Sequence, residues 1–339
     1  MPPRTDWKET IAPDEAARHE RNAELLVGRH KGGGRTLHMK AHVGARAELA
    51  VLPNLPEPYR VGIFGAPGTF PAWVRYSNGG GGRVADRKPD LRGMAIKLVG
   101  VPGRKLIPGL EDAVTQDFLM IHSPTVPFKS TEEFLTVIFG ATQPLTLLPK
   151  LIWTFGLVRT FTLLRDLARA TAKPIASLAT QRYWSAAVVR WGDYAAKISA
   201  IPVGSGGTAL EGPVGTGPDY LAEELTTRLA GGPVVFDLAV QLYTDPVATP
   251  IEDPTVEWKE SDAPFVVVAR LTLPQQDLRT PAGRAVATYI EGLSFDPWHA
   301  PVEFRPLGDV MRARNPAYRV STAARGASPE PDSMVLPPS

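Results

Sequence analysis

The chain has 339 residues, 43% of them hydrophobic, so it can bury a sizeable core in one large domain or two ordinary ones. The 37 basic and 35 acidic side chains nearly cancel to a formal charge of +2, which leaves no overall field to attract nucleic acid. No cysteine is present. Disulfides, thiolate nucleophiles, thiolate-ligated iron and iron–sulfur clusters are therefore excluded, and any metal must be held by His, carboxylate, Tyr or Met.

Residues 1–16 contain Pro, Asp and Glu where a secretory signal has a basic end and then an apolar stretch, so we expect a cytoplasmic protein. Residues 134–170 form the most apolar region, but five charged side chains interrupt it, and we expect no helix that spans a membrane. Lys150 and Arg159 fall on opposite sides of a helix at about 100° per residue. We therefore expect this region to pack as an internal helical layer, with weak contact to a membrane surface as the alternative.

The predicted elements begin with a helix over residues 14–27, followed by a flexible stretch at 31–34. Strand-like runs then occupy 48–52, 72–77, 93–101 and 117–121, mostly helical sequence fills 131–170, and further strands are predicted at 194–203, 233–243 and 265–273. Later helices are predicted at 218–230, 279–293 and 307–314. Strands that come in consecutive groups favour an α+β fold with an antiparallel sheet or barrel. We expect one domain over residues 1–326 with an N-terminal helical arm, and a disordered tail rich in Pro and Ser at 327–339.

Two histidines, His38 and His42, lie four residues apart, as in the helix of a zinc protease. Such a helix needs Glu after the first histidine to activate water, but Met39 occupies that position, and glycines flank the segment. Taken by itself, this segment predicts two loop histidines that make local hydrogen bonds.

Two other common signatures are weak or missing. Gly204, Gly206, Gly207 and Gly212 faintly resemble a dinucleotide-binding loop, but Pro213 follows where a helix should begin, so a surface hairpin is expected. The sequence contains no Gly-x-Ser-x-Gly elbow that would present a nucleophilic serine.

Near the C-terminus, Arg314 precedes Tyr318 by four residues, and Arg325 follows it by seven. A tyrosine hydroxyl normally loses its proton at about pH 10, so it needs a neighbouring cation to act as an anionic iron ligand. One helical turn places Arg314 on the same face as Tyr318, and Arg325 shares that face if the helix continues. Arginines in such positions can also clamp a carboxylate-bearing ligand.

Four segments, in chain order, resemble the signature segments of the haem catalases. They are Arg-Thr-Leu-His at 35–38, Val-Arg-Tyr-Ser at 74–77, Asp-Leu-Arg-Gly-Met-Ala-Ile-Lys at 90–97, and the Arg314, Tyr318 and Arg325 set. Arg-Pro-Leu-Gly at 305–308 resembles the small bacterial catalase-related members of this superfamily. The resemblance covers most of residues 35–325 and implies a catalase-like antiparallel β-barrel with inserted and flanking helices.

The resemblance also implies a role for each matching residue. His38 matches the distal catalytic histidine and Ser77 the hydroxyl that orients it, while Tyr318 matches the proximal iron ligand and Arg314 the residue that keeps it as phenolate. Further positions match residues that bind haem b: Arg35, Arg75 and Arg325 at the propionates, and Phe134 near the distal face. Three arginines would neutralise two buried carboxylates that are otherwise costly to desolvate.

The sequence departs from the haem catalases beside the distal histidine. In the stretch at 118–124, which resembles the segment carrying the distal asparagine of the family, Ile121 or His122 occupies the asparagine position. The missing amide would have hydrogen-bonded to peroxide, so its loss favours peroxidase over fast catalase activity. His122 either substitutes for the amide or points into the core.

We therefore expect a haem peroxidase or catalase-type oxidoreductase that acts on hydrogen peroxide or organic hydroperoxides with an organic reductant. His38 would move a proton between the two peroxide oxygens, so that water becomes the leaving group. Two alternatives remain: an enzyme that rearranges fatty-acid hydroperoxides, with the apolar region 134–170 as the wall of a lipid channel, and a non-catalytic haem carrier or sensor. A homo-oligomer is possible on this sequence, and nucleic acid is not an expected partner.

Overall fold

The fold is built around a closed antiparallel β-barrel in the computed structural model, which describes residues 1–29, 34–140, 144–171, 175–204 and 214–337. Over these residues, the strands are β1 (Ala41–Val51), β2 (Thr69–Asn78), β3 (Arg92–Val99), β4 (Thr115–Ile121), β5 (Tyr183–Trp184), β6 (Val189–Trp191), β7 (Tyr194–Pro202), β8 (Val234–Leu242) and β9 (Phe265–Leu273). Their order is β5-β4-β3-β2-β1-β9-β8-β7-β6, and an additional β5–β7 pairing closes eight strands into a ring. The predicted α+β class with an antiparallel barrel is confirmed.

Strand residues alternate between the barrel interior and its outer face, as the period of a β-strand requires. On β2, Val74 and Tyr76 are fully buried in the main core, whereas Trp73 belongs to a second apolar cluster outside the barrel. Arg75 and Ser77 share the outward parity of Trp73. The barrel wall therefore presents polar side chains to the helices that cover it.

Six helices accompany the barrel within the described ranges: α1 (Glu15–Gly28), α2 (Thr131–Gly140), α3 (Pro144–Thr171), α4 (Tyr220–Gly231), α5 (Pro281–Gly292) and α6 (Asp309–Ala324). Helix α5 lies close to β1, because a Cβ atom on Gly44 would come within 3.1 Å of Cβ of Ile290. Helix α1 packs along α6, where Arg312 forms ion pairs with Glu9 and Glu15. The expected N-terminal helical arm is thus held against α6.

Two predicted elements differ in extent from those observed, and two short strands were not predicted. Strand β1 begins at Ala41, before the expected start at 48, because Gly44 interrupts the β pattern in the sequence but is needed where α5 packs closely. Strands β5 and β6 are too short to predict from alternation. Helix α6 continues through Pro316 to Ala324, beyond the expected end at 314.

The expected internal packing of the apolar region is wrong for α3. This helix contains a break at Gly156, where φ is 77°, and most of its large apolar side chains point to solvent. By length and composition alone, its Leu145–Thr171 portion is apolar enough to cross a membrane, and only 17% of an apolar 18-residue stretch within it is buried. One side of α3 packs on α2, and the other side has no cover among the described residues.

The C-terminal stretch, for which the sequence predicts disorder, contacts the outer face of the barrel at Glu330 and packs Met334 and Leu336 on the apolar cluster that contains Trp73. Lys97 Nζ donates a hydrogen bond to Oε2 of Glu330 over 2.6 Å and forms an ion pair with Asp117. Both Lys97 and Asp117 are buried on the outer face of the barrel. A buried lysine with carboxylate partners provides a long-range anchor that the sequence alone did not reveal.

Candidate functional site

His38 lies in the loop that leads into β1, with a left-handed backbone at φ 55°. Its amide donates a hydrogen bond to the carbonyl of Gly79 over 3.1 Å, which fixes the loop to the end of β2. The Nδ1 atom of His38 lies 3.0 Å from Oγ of Ser77, within hydrogen-bond distance. The structure thus brings together the two residues predicted for the distal side, and the outward parity of Ser77 on β2 explains why.

Gly93 on β3 makes room for the imidazole. A Cβ atom at this position would lie 2.8 Å from both Cε1 and Nδ1 of His38 and 3.2 Å from Oγ of Ser77. Glycine is therefore required because the imidazole lies directly over the backbone of β3. Gly93 belongs to the segment at 90–97, but the sequence alone does not indicate its role.

The pKa of His38 falls to about 3, mainly because the ring is removed from water and also because Arg75, Arg314 and Arg35 add positive charge nearby. The imidazole is therefore neutral at ordinary pH and able to accept a proton. Arg314 stands on α6 and Arg75 on the barrel. Positive charge from the barrel and from α6 therefore acts on the same imidazole.

On α6, Nη2 of Arg314 donates a hydrogen bond of 2.7 Å to the hydroxyl oxygen of Tyr318. The guanidinium carbon of Arg314 also lies 5.2 Å from the centre of the Tyr318 ring. The helical spacing of four residues produces this contact, as expected. A phenolate oxygen at this position would receive charge-assisted stabilisation from Arg314.

The three other predicted arginines converge on the C-terminal end of α5. Arg75 donates from Nε to Glu291 over 2.8 Å, and Arg35 Nε lies 3.7 Å from the same carboxylate. Arg35 and Arg325 both donate to the carbonyl oxygen of Leu293, over 2.6 and 2.9 Å. Residues that are far apart in the sequence therefore form one cationic cluster.

This cluster carries more positive than negative charge. Glu291 is the carboxylate whose charge acts on both Arg35 and Arg325. The pKa of Arg35 falls to about 9 because the side chain is buried and because Arg75 and Arg325 repel its charge. Its Nε atom is also buried without a hydrogen-bond partner. Three guanidinium groups that share one carboxylate can accommodate two further negative charges.

Comparison with known proteins identifies the relatives of this chain. No protein-family model matches it. Over 274 residues it is 29% identical to a catalase-related peroxidase of Mycolicibacterium paratuberculosis. The alignment covers 76% of this chain and 78% of that protein. Its structure is similar to a fungal catalase, with a TM-score of 0.67 and 18% identity over 96% of this chain.

It is also similar to catalase A from Saccharomyces cerevisiae, with a TM-score of 0.65 and 16% identity over 96% of this chain. The chain is thus similar in fold to the catalases and in sequence to a catalase-related peroxidase. It spans 65% of the fungal catalase and 67% of the yeast catalase. The expected resemblance and the expected class, an oxidoreductase of the catalase and peroxidase type, are confirmed.

The strand register distinguishes the two sequence-predicted candidates for the asparagine position, Ile121 and His122. Ile121 on β4 pairs directly with Gly93, over which the His38 ring lies. His122 instead uses Nδ1 to accept a 2.9 Å hydrogen bond from the amide of Arg92. Burial and the charge of Arg92 lower the pKa of His122 to about 4, so it is neutral. The register therefore places Ile121, and not His122, beside the His38 ring.

Phe134 and His42, which the sequence analysis also singled out, have other partners. Phe134 packs edge to face on Phe128, with ring centres 5.3 Å apart, in the apolar cluster between α2 and α3. Its approach to the distal side stays a prediction. His42 is part of β1, and its Nε2 lies 2.6 Å from Oδ1 of Asn78 in a buried contact. The glycines at 206, 207 and 212 lie outside the described residues.

One further set of side chains has metal-binding atom types, Glu15, His19 and Asp309, whose ligand atoms lie within 4.8 Å of one another. Arg312 already forms hydrogen bonds to both carboxylate oxygens of Glu15. Thr131 donates two hydrogen bonds to Oδ2 of Asp309. The carboxylates of this set therefore join α1, α2 and α6, and their oxygens are largely engaged.

Proposed function

We propose that this catalase-like protein binds haem b through the phenolate oxygen of Tyr318 and reduces hydrogen peroxide or organic hydroperoxides. The observation that carries this proposal is the arrangement of two hydrogen-bonded pairs, Arg314 with Tyr318 and His38 with Ser77, near a shared cationic cluster. Haem would match this arrangement chemically, because its iron accepts an anionic oxygen ligand and its two propionates carry negative charge.

The residues present fit this group in charge and in donor type. Arg35, Arg75 and Arg325 would hold the propionates, since their cluster contains two more positive charges than the Glu291 carboxylate neutralises. Arg314 would stabilise the phenolate of Tyr318 by its hydrogen bond. When bound, the haem supplies the electron-transfer chemistry that breaks the peroxide O–O bond.

His38 would move the proton that this reaction requires. Its neutral imidazole can accept a proton, and Ser77 engages Nδ1, which leaves Nε2 to face the substrate. Nε2 would take the proton of one peroxide oxygen and deliver it to the other, so that water leaves from hydrogen peroxide and an alcohol leaves from an organic hydroperoxide. Ser77 would fix the tilt of the ring, and Gly93 would allow the ring to lie close to β3.

The apolar Ile121 favours peroxidase over catalase activity in this proposal. Its side chain cannot donate a hydrogen bond to peroxide, so an organic reductant would complete the cycle more readily than a second peroxide. The exposed apolar side of α3 favours a lipid hydroperoxide as a candidate organic substrate. Product analysis with a fatty-acid hydroperoxide and no reductant distinguishes rearrangement from reduction.

Haem reconstitution of the purified protein, followed by absorption spectroscopy and peroxide consumption, tests the proposal. We expect a ferric high-spin spectrum in the wild type and its loss in Tyr318→Phe, with Tyr194→Phe on β7 as the matched control. His38→Ala should keep the spectrum and lose peroxide turnover by roughly 10²- to 10⁴-fold. A wild-type protein that stays colourless refutes haem binding, and a coloured protein without turnover is a haem carrier or sensor.

A further inference from the structure

Helix α3 exposes an unusual number of large apolar side chains. Trp153 is 92% exposed, Val158 79% and Phe161 68%. Others on the same helix are also exposed: Leu145, Leu148, Ile152, Leu157 and Leu164. We call these eight side chains the apolar face of α3. A contiguous exposed apolar patch of this kind usually marks an interaction surface.

The opposite side of α3 is apolar as well. Leu151 and Leu163 are fully buried, in a cluster with Phe128 and Val137. A helix on the surface of a globular protein normally directs polar residues to solvent, as α4 does with the Glu224–Arg228 ion pair. Helix α3 therefore has large apolar side chains on its exposed side as well as on its buried side, which is typical of a helix that is covered on both sides.

The backbone indicates that α3 would lie along the surface of a lipid bilayer instead of crossing the bilayer. Gly156, with φ 77°, divides the helix into residues 144–155 and 157–171. At about 1.5 Å per residue, these parts are roughly 18 and 22 Å long, and each is shorter than the core of a bilayer, about 30 Å. Each part can place its exposed apolar side chains in the membrane–water interface, with Trp153 close to the break at Gly156.

The charges on α3 complement an anionic surface. The helix contains four basic residues, Lys150, Arg159, Arg165 and Arg169, and one acidic residue, Asp166. Arg159 forms an ion pair with Glu133 on α2, and Arg165 pairs with Asp166. The excess positive charge favours anionic lipid headgroups, because each basic residue near such a surface contributes to binding. It opposes self-association about a two-fold axis, which would bring like charges together.

We propose that the apolar face of α3 binds the surface of an anionic lipid bilayer, with both parts of the helix lying in the interface. This inference rests on the exposure and charge of α3 and does not depend on haem binding. Membrane association would bring the protein to lipid hydroperoxides where they form. The sequence had indicated weak membrane contact only as an alternative to internal packing.

The test is flotation of the purified full-length protein with vesicles of equimolar phosphatidylcholine and phosphatidylglycerol, and with pure phosphatidylcholine. We expect binding to the anionic vesicles that high salt weakens, and weaker binding to the neutral ones. Trp153→Glu/Phe161→Glu should weaken binding at least tenfold, because two apolar side chains leave the lipid. The control Val247→Glu/Val302→Glu changes two exposed valines away from α3 and should bind like the wild type.

Brominated lipids provide a second measurement. They should quench part of the tryptophan fluorescence of the wild type, and Trp153→Phe should remove that quenching while vesicle binding persists. Failure of the wild type to bind anionic vesicles overturns the proposal, as does equal binding by the α3 variant and its control. A dimer that dissociates in the α3 variant, with no vesicle binding by the wild type, would assign the apolar face to a second copy of the chain.

Discussion

Arg314 and Tyr318 are joined by a hydrogen bond of 2.7 Å across one turn of α6, from Nη2 to the hydroxyl oxygen. Removing this donor should weaken the proposed iron ligand without removing it. We expect Arg314→Gln to bind haem about ten- to a hundredfold more weakly than the wild type, because a hydrogen bond from a charged group is lost. Haem titration followed by absorption measures this. Unchanged affinity would show that Arg314 does not support the ligand.

The cationic cluster predicts a second change in haem affinity. Arg325→Gln should weaken haem binding by about ten- to a hundredfold, because it removes one of the three guanidinium groups of the cationic cluster. Arg319→Gln is the matched control, because Arg319 is on the same helix but forms an exposed ion pair with Glu20. Equal affinities of the two variants would remove Arg325 from the propionate site.

Much of the architecture could be predicted because β2, β3, β4 and α5 have the periodicity of their structures. Sequence patterns could not show which side of an apolar helix would be covered, so α3 was expected to be internal. The buried Lys97–Glu330 pair depends on two residues that only the fold brings together. At the site, the pairing of His38 with Ser77 was predicted through the resemblance to catalases. Glu291 was missed, because a glutamate near the end of an amphipathic helix is typical of an ordinary solvent-exposed position.

Gly93→Ala should separate catalysis from haem binding. The added methyl group would lie 2.8 Å from the His38 ring, so the imidazole must move away from Ser77. We expect peroxide turnover to fall by roughly 10²-fold, because the proton-transferring group is displaced, while the haem spectrum is kept. Gly65→Ala is the control, since a Cβ atom there meets nothing within 4 Å. Steady-state peroxide consumption and haem content measure the two effects.

The lowered pKa of His38 makes a prediction about the stability of the haem-free protein. In the unfolded chain His38 takes up a proton below about pH 6.5, whereas in the fold its pKa is about 3. Lowering the pH from 7 to 5 therefore stabilises the unfolded state and reduces the free energy of unfolding. Between pH 7 and pH 5, the free energy of unfolding of His38→Gln should fall by about 1–2 kcal/mol less than that of the wild type. Urea unfolding at both pH values checks it, and identical pH dependences would contradict a neutral, buried His38.

The register of β4 against β3 predicts which substitution can restore catalase activity. Ile121 lies opposite Gly93, beside the His38 ring, whereas Nδ1 of His122 holds the amide of Arg92. Ile121→Asn would introduce an amide donor next to the proposed peroxide site and should raise oxygen release from hydrogen peroxide by roughly tenfold or more. His122→Asn should give no gain and should lower stability, because the hydrogen bond to the Arg92 amide is disturbed.

An oxygen electrode measures the release of oxygen, and peroxidase turnover with an organic reductant serves as the internal reference for active haem. The expected result is a higher ratio of oxygen release to peroxidase turnover in Ile121→Asn alone. A gain in His122→Asn alone would reassign the asparagine position to residue 122. If neither variant gains, the missing amide does not limit dismutation, and the rate is set by another property of the pocket, such as the access of a second peroxide to His38.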